Sequence, residues 1–311
     1  METQTDTSAA AHTNAPREAD ATPSPRKPQA SSPKPHPDAP RAPRIIALMN
    51  QKGGVGKTTT TVNIGAALST AGYRVLLIDL DPQAHLSLHV GINPDELDKS
   101  IYDMLVDEAT TAAEVVQQID PKLGVLPAEV NLAGVEAELA EQTAAGQSQG
   151  VLRDKTRDLV KQFDFVLLDC PPSLGLLTIN GLTMANEVIV PMQAHFLALQ
   201  GLSKLLETIS MVRQGINPAL KLAGIVLCMH EANTLLAGEV AGDLDSFLTE
   251  ARGTDQPWAD AIVFQPPIRR NIKLAESPSF GQSIFAYAPD CHGARDYAAL
   301  AKAVALHRVH A

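Results

Sequence analysis

At residues 50–59 the chain reads Asn50-Gln51-Lys52-Gly53-Gly54-Val55-Gly56-Lys57-Thr58-Thr59, a run with three glycines and two lysines. The apolar residues 45–49 before it predict a buried strand, and residues 58–69 after it are compatible with a helix. A strand, a glycine-rich turn and a helix N-terminus direct unpaired backbone N–H groups and the positive end of the helix dipole at one point. The stretch therefore predicts a phosphate-binding loop.

The side chains of this loop suit a magnesium-bound polyphosphate. Glycines allow the backbone to approach phosphate oxygens that a β-carbon would hold away. Lys57 supplies a point charge for the outer phosphates, and the Thr58 hydroxyl is placed to bind Mg²⁺. The predicted nucleotide-binding residues are Lys52, Gly53, Gly54, Val55, Gly56, Lys57, Thr58 and Thr59.

The loop departs from the usual P-loop pattern in one position and resembles a known variant of it. Gln51 stands where the first glycine is expected, and a second lysine, Lys52, precedes the glycines. Lys-Gly-Gly-Val-Gly-Lys-Thr-Thr resembles the deviant Walker A box of the ParA/MinD ATPases. The resemblance implies an α/β fold with a mostly parallel twisted sheet flanked by helices, and ATP and Mg²⁺ as cofactors. It also implies a catalytic role for Lys52, which reaches the nucleotide of the other subunit in such families.

Composition narrows the class of protein. The chain has 311 residues, 45% of them hydrophobic, and no apolar run of the roughly 20 residues that span a bilayer. No hydrophobic core of the secretory type stands at the N-terminus, and the three cysteines lie far apart, so a reduced cytoplasmic protein is expected. A formal net charge of −10 argues against a uniformly basic nucleic-acid binder.

Residues 1–44 differ in composition from the rest of the chain. They hold nine of the 22 prolines, and their six Lys/Arg nearly balance five Asp/Glu. Such a segment buries too little apolar surface to offset its ordering entropy, so we expect a disordered tail before a domain at residues 45–311. Two interpretations of the tail stay open: a solvated spacer, or a weak tether that contacts DNA or a partner through Arg26, Lys27, Lys34, Arg41 and Arg44.

From residue 45 onward, short apolar runs alternate with longer helix-like stretches. Continuous apolar runs are typical of strands that are buried on both faces of a parallel sheet. Ligands bind at the carboxyl ends of such strands. Residues 92–162 are expected to be helical with one short strand. The predicted strands lie near 45–49, 74–79, 123–126, 164–169, 187–191, 222–229 and 261–264.

The second predicted strand ends in two carboxylates, Asp79 and Asp81, followed by Pro82-Gln83. Alternation along a strand points both side chains the same way, so one site could use both. The family box reads Asp-x-Asp-Pro-Gln-Gly-Asn, and by resemblance Asp81 orients the attacking water and Asp79 adds to the magnesium site. Aspartates that merely cap the next helix are the alternative. Ala84 and His85 depart from the family pattern.

Asp169 closes another fully apolar strand and is followed by Cys170-Pro171-Pro172-Ser173. A carboxylate at the end of a rigid buried strand is the Walker B arrangement, which faces the Mg²⁺ that bridges the outer phosphates. The loop after it resembles the family's second switch. Asp169 and Thr58 are therefore the main predicted magnesium ligands.

A fourth family-like segment, Ile268-Arg269-Arg270-Asn271 continuing to Gly281, is similar to the family's Ile-Pro-Arg-Asn-x-x-Leu-x-Glu-Ala-Pro-Ser-x-Gly. Lys and Arg that contact phosphates supply affinity without sequence preference. We therefore expect a non-specific DNA patch, with a solvated charged turn as the alternative. Its residues are Arg269, Arg270 and Lys273. By resemblance, Pro266 and Pro267 flank the adenine. Asn233 stands where the family usually has an arginine associated with DNA binding.

Together these motifs favour a DNA partition ATPase. The resemblance implies a homodimer when ATP is bound, non-specific DNA binding, hydrolysis stimulated by a ParB-like partner, and association with the nucleoid. An ATPase that positions a protein cargo is one alternative. A MinD-like membrane-cycling regulator is another, which the short, weakly apolar C-terminus disfavours, so no membrane contact is expected.

Overall fold

Strand β1 (Arg44–Leu48) lies near the centre of the sheet and delivers the glycine loop to its carboxyl edge. The computed structural model describes residues 42–142, 148–195, 198–231 and 235–309. Within them, eight strands form one sheet in the order β3-β4-β2-β5-β1-β6-β7-β8. Neighbouring strands run parallel except β3 and β4, which are antiparallel. The remaining strands are β2 (Val75–Asp79), β3 (Gln117–Asp120), β4 (Leu123–Leu126), β5 (Phe165–Asp169), β6 (Glu187–Gln193), β7 (Lys221–Cys228) and β8 (Ile262–Val263).

Helices cover both faces of the sheet, as the buried strands require. One face carries α3 (Ile101–Val106), α4 (Ala112–Val115), α5 (Val135–Gln142), α6 (Val151–Val160), α7 (Leu176–Met184), α8 (Ala198–Gly215) and α9 (Leu235–Glu250). The other carries α1 (Lys57–Thr70), α2 (His85–His89), α10 (Ile272–Glu276), α11 (Ile284–Tyr287) and α12 (His292–Leu306). Alternate strand residues enter the two cores: Ala47 belongs to the first and Ile46 to the second. The expected fold class, a mostly parallel sheet flanked by helices, is confirmed.

Strand β3 corrects the expectation of one strand in residues 92–162. This region contains two strands, because the polar segment Gln117–Asp120 pairs antiparallel with β4 at the edge of the sheet. Most of β3 is exposed, so it lacks the apolar pattern of the buried strands.

Arg44 corrects the boundary of the tail. It begins β1, and its guanidinium donates to both carboxylate oxygens of Glu187 at 2.8 and 2.6 Å and to the carbonyl oxygen of Val304 at 2.6 Å. Arg44 is therefore a buried anchor of the domain and leaves the set of tether cations. The other four tether residues lie outside the described residues.

The sheet register gathers three motifs at one edge. Asp169 at the end of β5 lies opposite Asp79 of β2 on one side and opposite Leu48 of β1 on the other. The loop after β1 therefore begins beside both strand-end carboxylates. Among the described residues, no helix is both long and apolar enough to cross a bilayer.

Candidate functional site

The glycine loop between β1 and α1 has a backbone that only glycine adopts easily. Gly54 has φ +72° and Gly56 has φ +90°, in the left-handed region. No atom lies within 4 Å of where a β-carbon would stand on Gly53 or Gly54, so this part of the loop faces open space. Gly56 precedes the first residue of α1, and the loop thus ends at a helix N-terminus.

Lys57, Thr58 and Asp169 form a cluster at the start of α1, in which Lys57 and Asp169 are buried and Thr58 is half-buried. The Lys57 ammonium lies 3.5 Å from Oδ1 of Asp169 and 3.9 Å from Oδ2 of Asp81. The Thr58 hydroxyl donates to Oδ2 of Asp169 at 2.6 Å, and the Thr61 hydroxyl donates to Oδ1 at 3.3 Å. A carboxylate at the end of β5 and a carboxylate two residues after β2 therefore share one lysine.

Burial raises the pKa of the Asp169 carboxyl, while the Lys57 ammonium and the Thr58 hydroxyl oppose the shift. A carboxylate without exposure needs a nearby cation to stay ionised. A hydroxyl and a carboxylate oxygen are also the hard ligands that Mg²⁺ accepts, and that ion usually keeps only one or two protein ligands. Thr58 and Asp169 thus have the chemistry of a magnesium site.

A cavity of about 620 Å³ opens in front of this cluster. Asp81 lines it, and its Oδ1 accepts the backbone N–H of Gln83 at 3.0 Å, so the second oxygen is directed to Lys57. The residues that complete the wall are Lys52, Gly53, Gly54, Gly56, Lys57, Thr58, Thr59, Gln83, His85, Leu88, His89, Pro172, Met229, Pro278 and Ser279. Val55 is buried beneath the loop and supports it.

Asp79 does not join this cavity, which corrects its expected role as a magnesium ligand. The side chain is fully buried, its Oδ1 accepts the N–H of Asp81, and its Oδ2 accepts the N–H and hydroxyl of Ser87. Burial, reinforced by the negative charge of Asp169, raises the pKa of Asp79 to about 7. Its contacts fix the turn that carries Asp81.

The comparisons with known proteins agree with this geometry. A family model described as an AAA domain matches residues 43–222. The sporulation initiation inhibitor protein Soj of Bacillus subtilis is 41% identical over 263 residues, which cover 84% of this chain and 98% of that protein. The chromosome partitioning protein ParA of Caulobacter vibrioides is also 41% identical, over 84% of this chain and 93% of its own. The chain belongs to the ParA/Soj family of partition ATPases.

A solved structure of 38% identity is similar to this ATPase over most of its length. It is titled cobyrinic acid a,c-diamide synthase from Mycobacterium smegmatis with bound ADP and magnesium. The TM-score is 0.70, and the match covers 85% of this chain and 94% of that one.

Two histidines of α2 in this ATPase were missed by sequence reasoning. His85 and His89, one helical turn apart, both line the large cavity. Burial lowers the pKa of His89 to about 4, and its Nε2 is a buried nitrogen without a hydrogen-bond partner. The signal that could have found them is the i, i+4 spacing directly after the Asp-x-Asp-Pro-Gln box.

Lys52 extends from the exposed side of the loop. Its Nζ lies 2.8 Å from Nε2 of His195, in the segment that follows β6, and its backbone N–H donates to Oδ1 of Asn50 at 2.9 Å. The two lysines of the ATPase thus have different surroundings, since Lys57 is buried between carboxylates. His195 was also missed, because 143 residues separate it from Lys52.

A second cavity, of about 510 Å³, adjoins the glycine loop on the side of β7 and α10. Thr59, Ile268, Ala275 and Tyr297 are among its walls. Pro266 and Pro267 lie just before this segment and are not part of the wall of either cavity, in contrast to their expected position beside adenine.

The three cations of the expected DNA patch are all paired with carboxylates. Arg269 donates to both oxygens of Asp296 at 3.0 and 2.6 Å, Arg270 lies 3.0 Å from Glu231, and Lys273 lies 2.9 Å from Glu276. The Arg270 side chain is 75% exposed and the Asp296 carboxyl only 6%. Asn233, the departure from the family arginine, lies outside the described residues.

Proposed function

We propose that this partition ATPase binds Mg·ATP in the two adjoining cavities, dimerises around it, and in that state binds DNA without sequence preference. A ParB-like partner then stimulates hydrolysis and release. The observation that carries the proposal is the cluster of Lys57, Thr58 and Asp169, which stands at the mouth of a glycine loop and beside Asp81. Partition names on several relatives of about 40% identity support the same function.

The loop residues have distinct tasks in this proposal. The N–H groups of residues 53–56 and the Lys57 ammonium hold the β- and γ-phosphates. Phosphate oxygens then replace part of the ion pairing that Lys57 makes with Asp81 and Asp169 in the free protein. Thr58 and Asp169 hold Mg²⁺, which supplies charge neutralisation on the transferred phosphoryl group. Asp81 accepts a hydrogen bond from the attacking water and orients it.

The second cavity is a better site for the adenine ring of ATP than the surroundings of Pro266 and Pro267. Thr59 lies on its wall directly after the phosphate loop, and Ile268, Leu274 and Ala275 give it apolar surface. A cavity that continues from a phosphate loop and is partly apolar suits the flat ring of adenine. We therefore move the proposed adenine site from Pro266 and Pro267 to this cavity.

Lys52 is the proposed link between nucleotide and dimer. A cation supplied in trans stabilises the transferred phosphoryl group only when two subunits meet. The exposure of Lys52 supports this role, because no rearrangement of the core is needed to extend it. Replacement by alanine tests the role: we expect ATP binding to persist while ATP-dependent dimerisation and hydrolysis are lost. Intact dimerisation and hydrolysis in that variant would remove the trans role.

Arg270 and Lys273 should contribute more to DNA binding than Arg269. Exposed ion pairs contribute little in water, so phosphates compete for these two cations readily. The bidentate pair of Arg269 with the buried Asp296 carboxyl opposes the same exchange.

DNA binding measured with ATP, ADP and no nucleotide across a salt series tests the function as a whole. We expect binding that requires ATP, is insensitive to sequence and falls steeply with salt. Absence of binding at low salt would favour the alternative of an ATPase that positions a protein cargo.

Sedimentation with liposomes in the presence of ATP tests the MinD-like alternative, and we expect the protein to stay in the supernatant.

A further inference from the structure

We propose that His195 is a positioning residue for Lys52, which holds the lysine ammonium within its own subunit until the ATP-bound dimer forms. The inference deepens the proposed function and rests on the trans role of Lys52 given there. It concerns the free subunit, in which Nζ of Lys52 and Nε2 of His195 lie 2.8 Å apart.

The contact belongs to a row of three that fixes the first half of the glycine loop. The carbonyl oxygen of Pro191 accepts the side-chain amide of Asn50 at 2.8 Å, and the side-chain amide of Gln193 donates to the carbonyl oxygen of Gly54 at 3.3 Å. We call Pro191, Gln193 and His195 the β6 clasp. Pro191 contributes its backbone carbonyl oxygen, whereas Gln193 and His195 contribute their side chains. His195, two residues beyond the end of β6, therefore adds a third contact between this part of the chain and residues 50–54.

Asn50 connects the clasp to the backbone of Lys52. Its amide donates to Pro191, while its carbonyl oxygen accepts the Lys52 N–H at 2.9 Å. The start of the Lys52 side chain is thus fixed through Asn50, and its end is held by His195. The clasp fixes both ends of one flexible side chain.

The chemistry of the His195 imidazole explains why its contact with Lys52 can be released. Over residues 42–142, 148–195, 198–231 and 235–309, no carboxylate lies within ion-pair distance of Lys52, whereas Lys57 has two. A neutral imidazole nitrogen holds an ammonium by one hydrogen bond and a dipole, without an opposite charge. Lys52 can therefore leave for the phosphates of a second subunit, but the free subunit keeps it in one place meanwhile.

Dimerisation then includes the loss of the contact between Lys52 and His195. Any interaction made only in the free subunit weakens the dimer by its own free energy, since it must be broken on assembly. Removal of the imidazole should consequently make Lys52 more accessible and the ATP-bound dimer tighter. The direction of the change in dimer affinity separates two roles of His195. If His195 instead contributed to the dimer interface, removal of the imidazole would make the dimer weaker.

The first experiment measures the acylation rate of Lys52 by an N-hydroxysuccinimide ester in full-length, nucleotide-free protein, with peptide mass spectrometry and Lys122 as internal reference. We expect His195→Ala to raise the Lys52 rate about threefold, as loss of one exposed hydrogen bond would. His195→Gln retains an acceptor oxygen and should stay close to wild type. His292→Ala, an exposed histidine of α12, is the matched control. An unchanged Lys52 rate in His195→Ala overturns the proposal.

The second experiment measures the dimer Kd by analytical ultracentrifugation with a non-hydrolysable ATP analogue. His195→Ala should lower the Kd about threefold, with His195→Gln and His292→Ala near wild type. A dimer that forms with unchanged or higher Kd in His195→Ala contradicts the proposal. If wild-type protein stays monomeric with the analogue, the proposed function fails, and the acylation rates alone then decide whether His195 holds Lys52.

Discussion

At the residue scale, the site depends on how three buried carboxylates divide their tasks. Asp169 and Asp81 share Lys57, whereas Asp79 has no cation within ion-pair distance among the residues of the described chain and accepts three hydrogen bonds from its own turn. An ionised carboxyl without a cation is costly when buried. Asp79 should therefore be the carboxyl whose protonation changes most on folding.

The raised pKa of Asp79 should make the unfolding free energy fall as the pH rises. The pKa of Asp79 is about 7 in the folded protein, against an ordinary value of 3.8. Between these values the folded state binds the extra proton, so stability is highest below the lower value and falls as the pH rises. We expect Asp79→Asn to remove this component. The difference in unfolding free energy between wild type and variant should decrease by about 1.4 kcal/mol per pH unit from roughly pH 4 to pH 7.

Urea denaturation of the two proteins at pH 5, 6, 7 and 8, without nucleotide, measures this difference. A constant difference over that range would show that the Asp79 carboxyl keeps the same proton in both states. Asp120→Asn, which changes the last residue of the edge strand β3, serves as the control and should give parallel curves.

Ala84 shows what motif comparison alone could and could not give at this scale. The family has glycine at this position, and the structure gives Ala84 a left-handed φ of +51°. The departure was visible in the sequence, but its effect on stability was not. The left-handed backbone destabilises alanine relative to glycine, whereas burial of the Ala84 methyl group stabilises the fold. The partners of Lys52 and Arg269 were hidden for another reason: both are distant along the chain, at positions 195 and 296.

At the element scale, apolar runs predicted the buried strands well because parallel strands covered on both faces have no polar side. Seven strands were expected near their observed positions, and the edge strand β3 was missed because its residues are polar and exposed. The same reasoning placed Asp169 at a strand end, where sheet register brings it beside β1 and β2. Position along a strand was predictable, whereas contacts between distant loops were not.

Strand β7 tolerates only glycine at position 224. A β-carbon there would overlap the carbonyl oxygen of Ile262 and lie 2.8 Å from the ring of Phe264. We expect Gly224→Ala to lower the unfolding free energy by about 1–3 kcal/mol, because it forces β8 away from β7. Urea denaturation measures the change.

Gly201→Ala is the matched control for that substitution. It lies in α8 with no atom within 4 Å of the added carbon, so it should be neutral or stabilise by about 0.5–1 kcal/mol. Equal effects of the two substitutions would contradict the steric account of Gly224.

Helix α12 joins the nucleotide loop to the candidate DNA patch through adjacent residues. Asp296 holds Arg269, and the Tyr297 hydroxyl lies 3.0 Å from Oγ1 of Thr60 in α1. We expect Asp296→Asn to release Arg269 for phosphate contact. DNA affinity in the presence of ATP should then rise, and the slope of log affinity against log salt should steepen by about 1.

Glu231→Gln is the control, since it also removes one negative charge but from an exposed pair with Arg270. Its effect on DNA affinity should be smaller, because that pair already exchanges readily with phosphate. Equal gains from the two variants would indicate a general effect of net charge, and Arg269 would then leave the patch.

At the scale of the whole molecule, the proposed binding to DNA would require an acidic protein to use local positive charge. The formal net charge of −10 repels a polyanion at low salt, while the paired cations on 269–273 provide no net positive region by themselves. The proline-rich tail, with its lysines and arginines, is the remaining candidate for added affinity.

Removal of residues 1–41 separates the two interpretations of the tail. The described strands and helices all follow this segment, so thermal unfolding and nucleotide binding should remain as in the full chain. For a spacer, DNA affinity also stays unchanged. For a tether, affinity falls and the salt slope becomes shallower, because fewer phosphates are contacted.

The Arg44 anchor has a practical consequence for imaging and engineering. Its bonds to Glu187 and to the carbonyl oxygen of Val304 bring the first strand and the end of the last helix together, at the edge of the sheet opposite the glycine loop. A fluorescent label attached at the start of β1 or at the end of α12 would lie at the edge of the sheet opposite the glycine loop. The same proximity makes a circular permutant feasible, with a short peptide joining the two ends and a new start in an exposed turn.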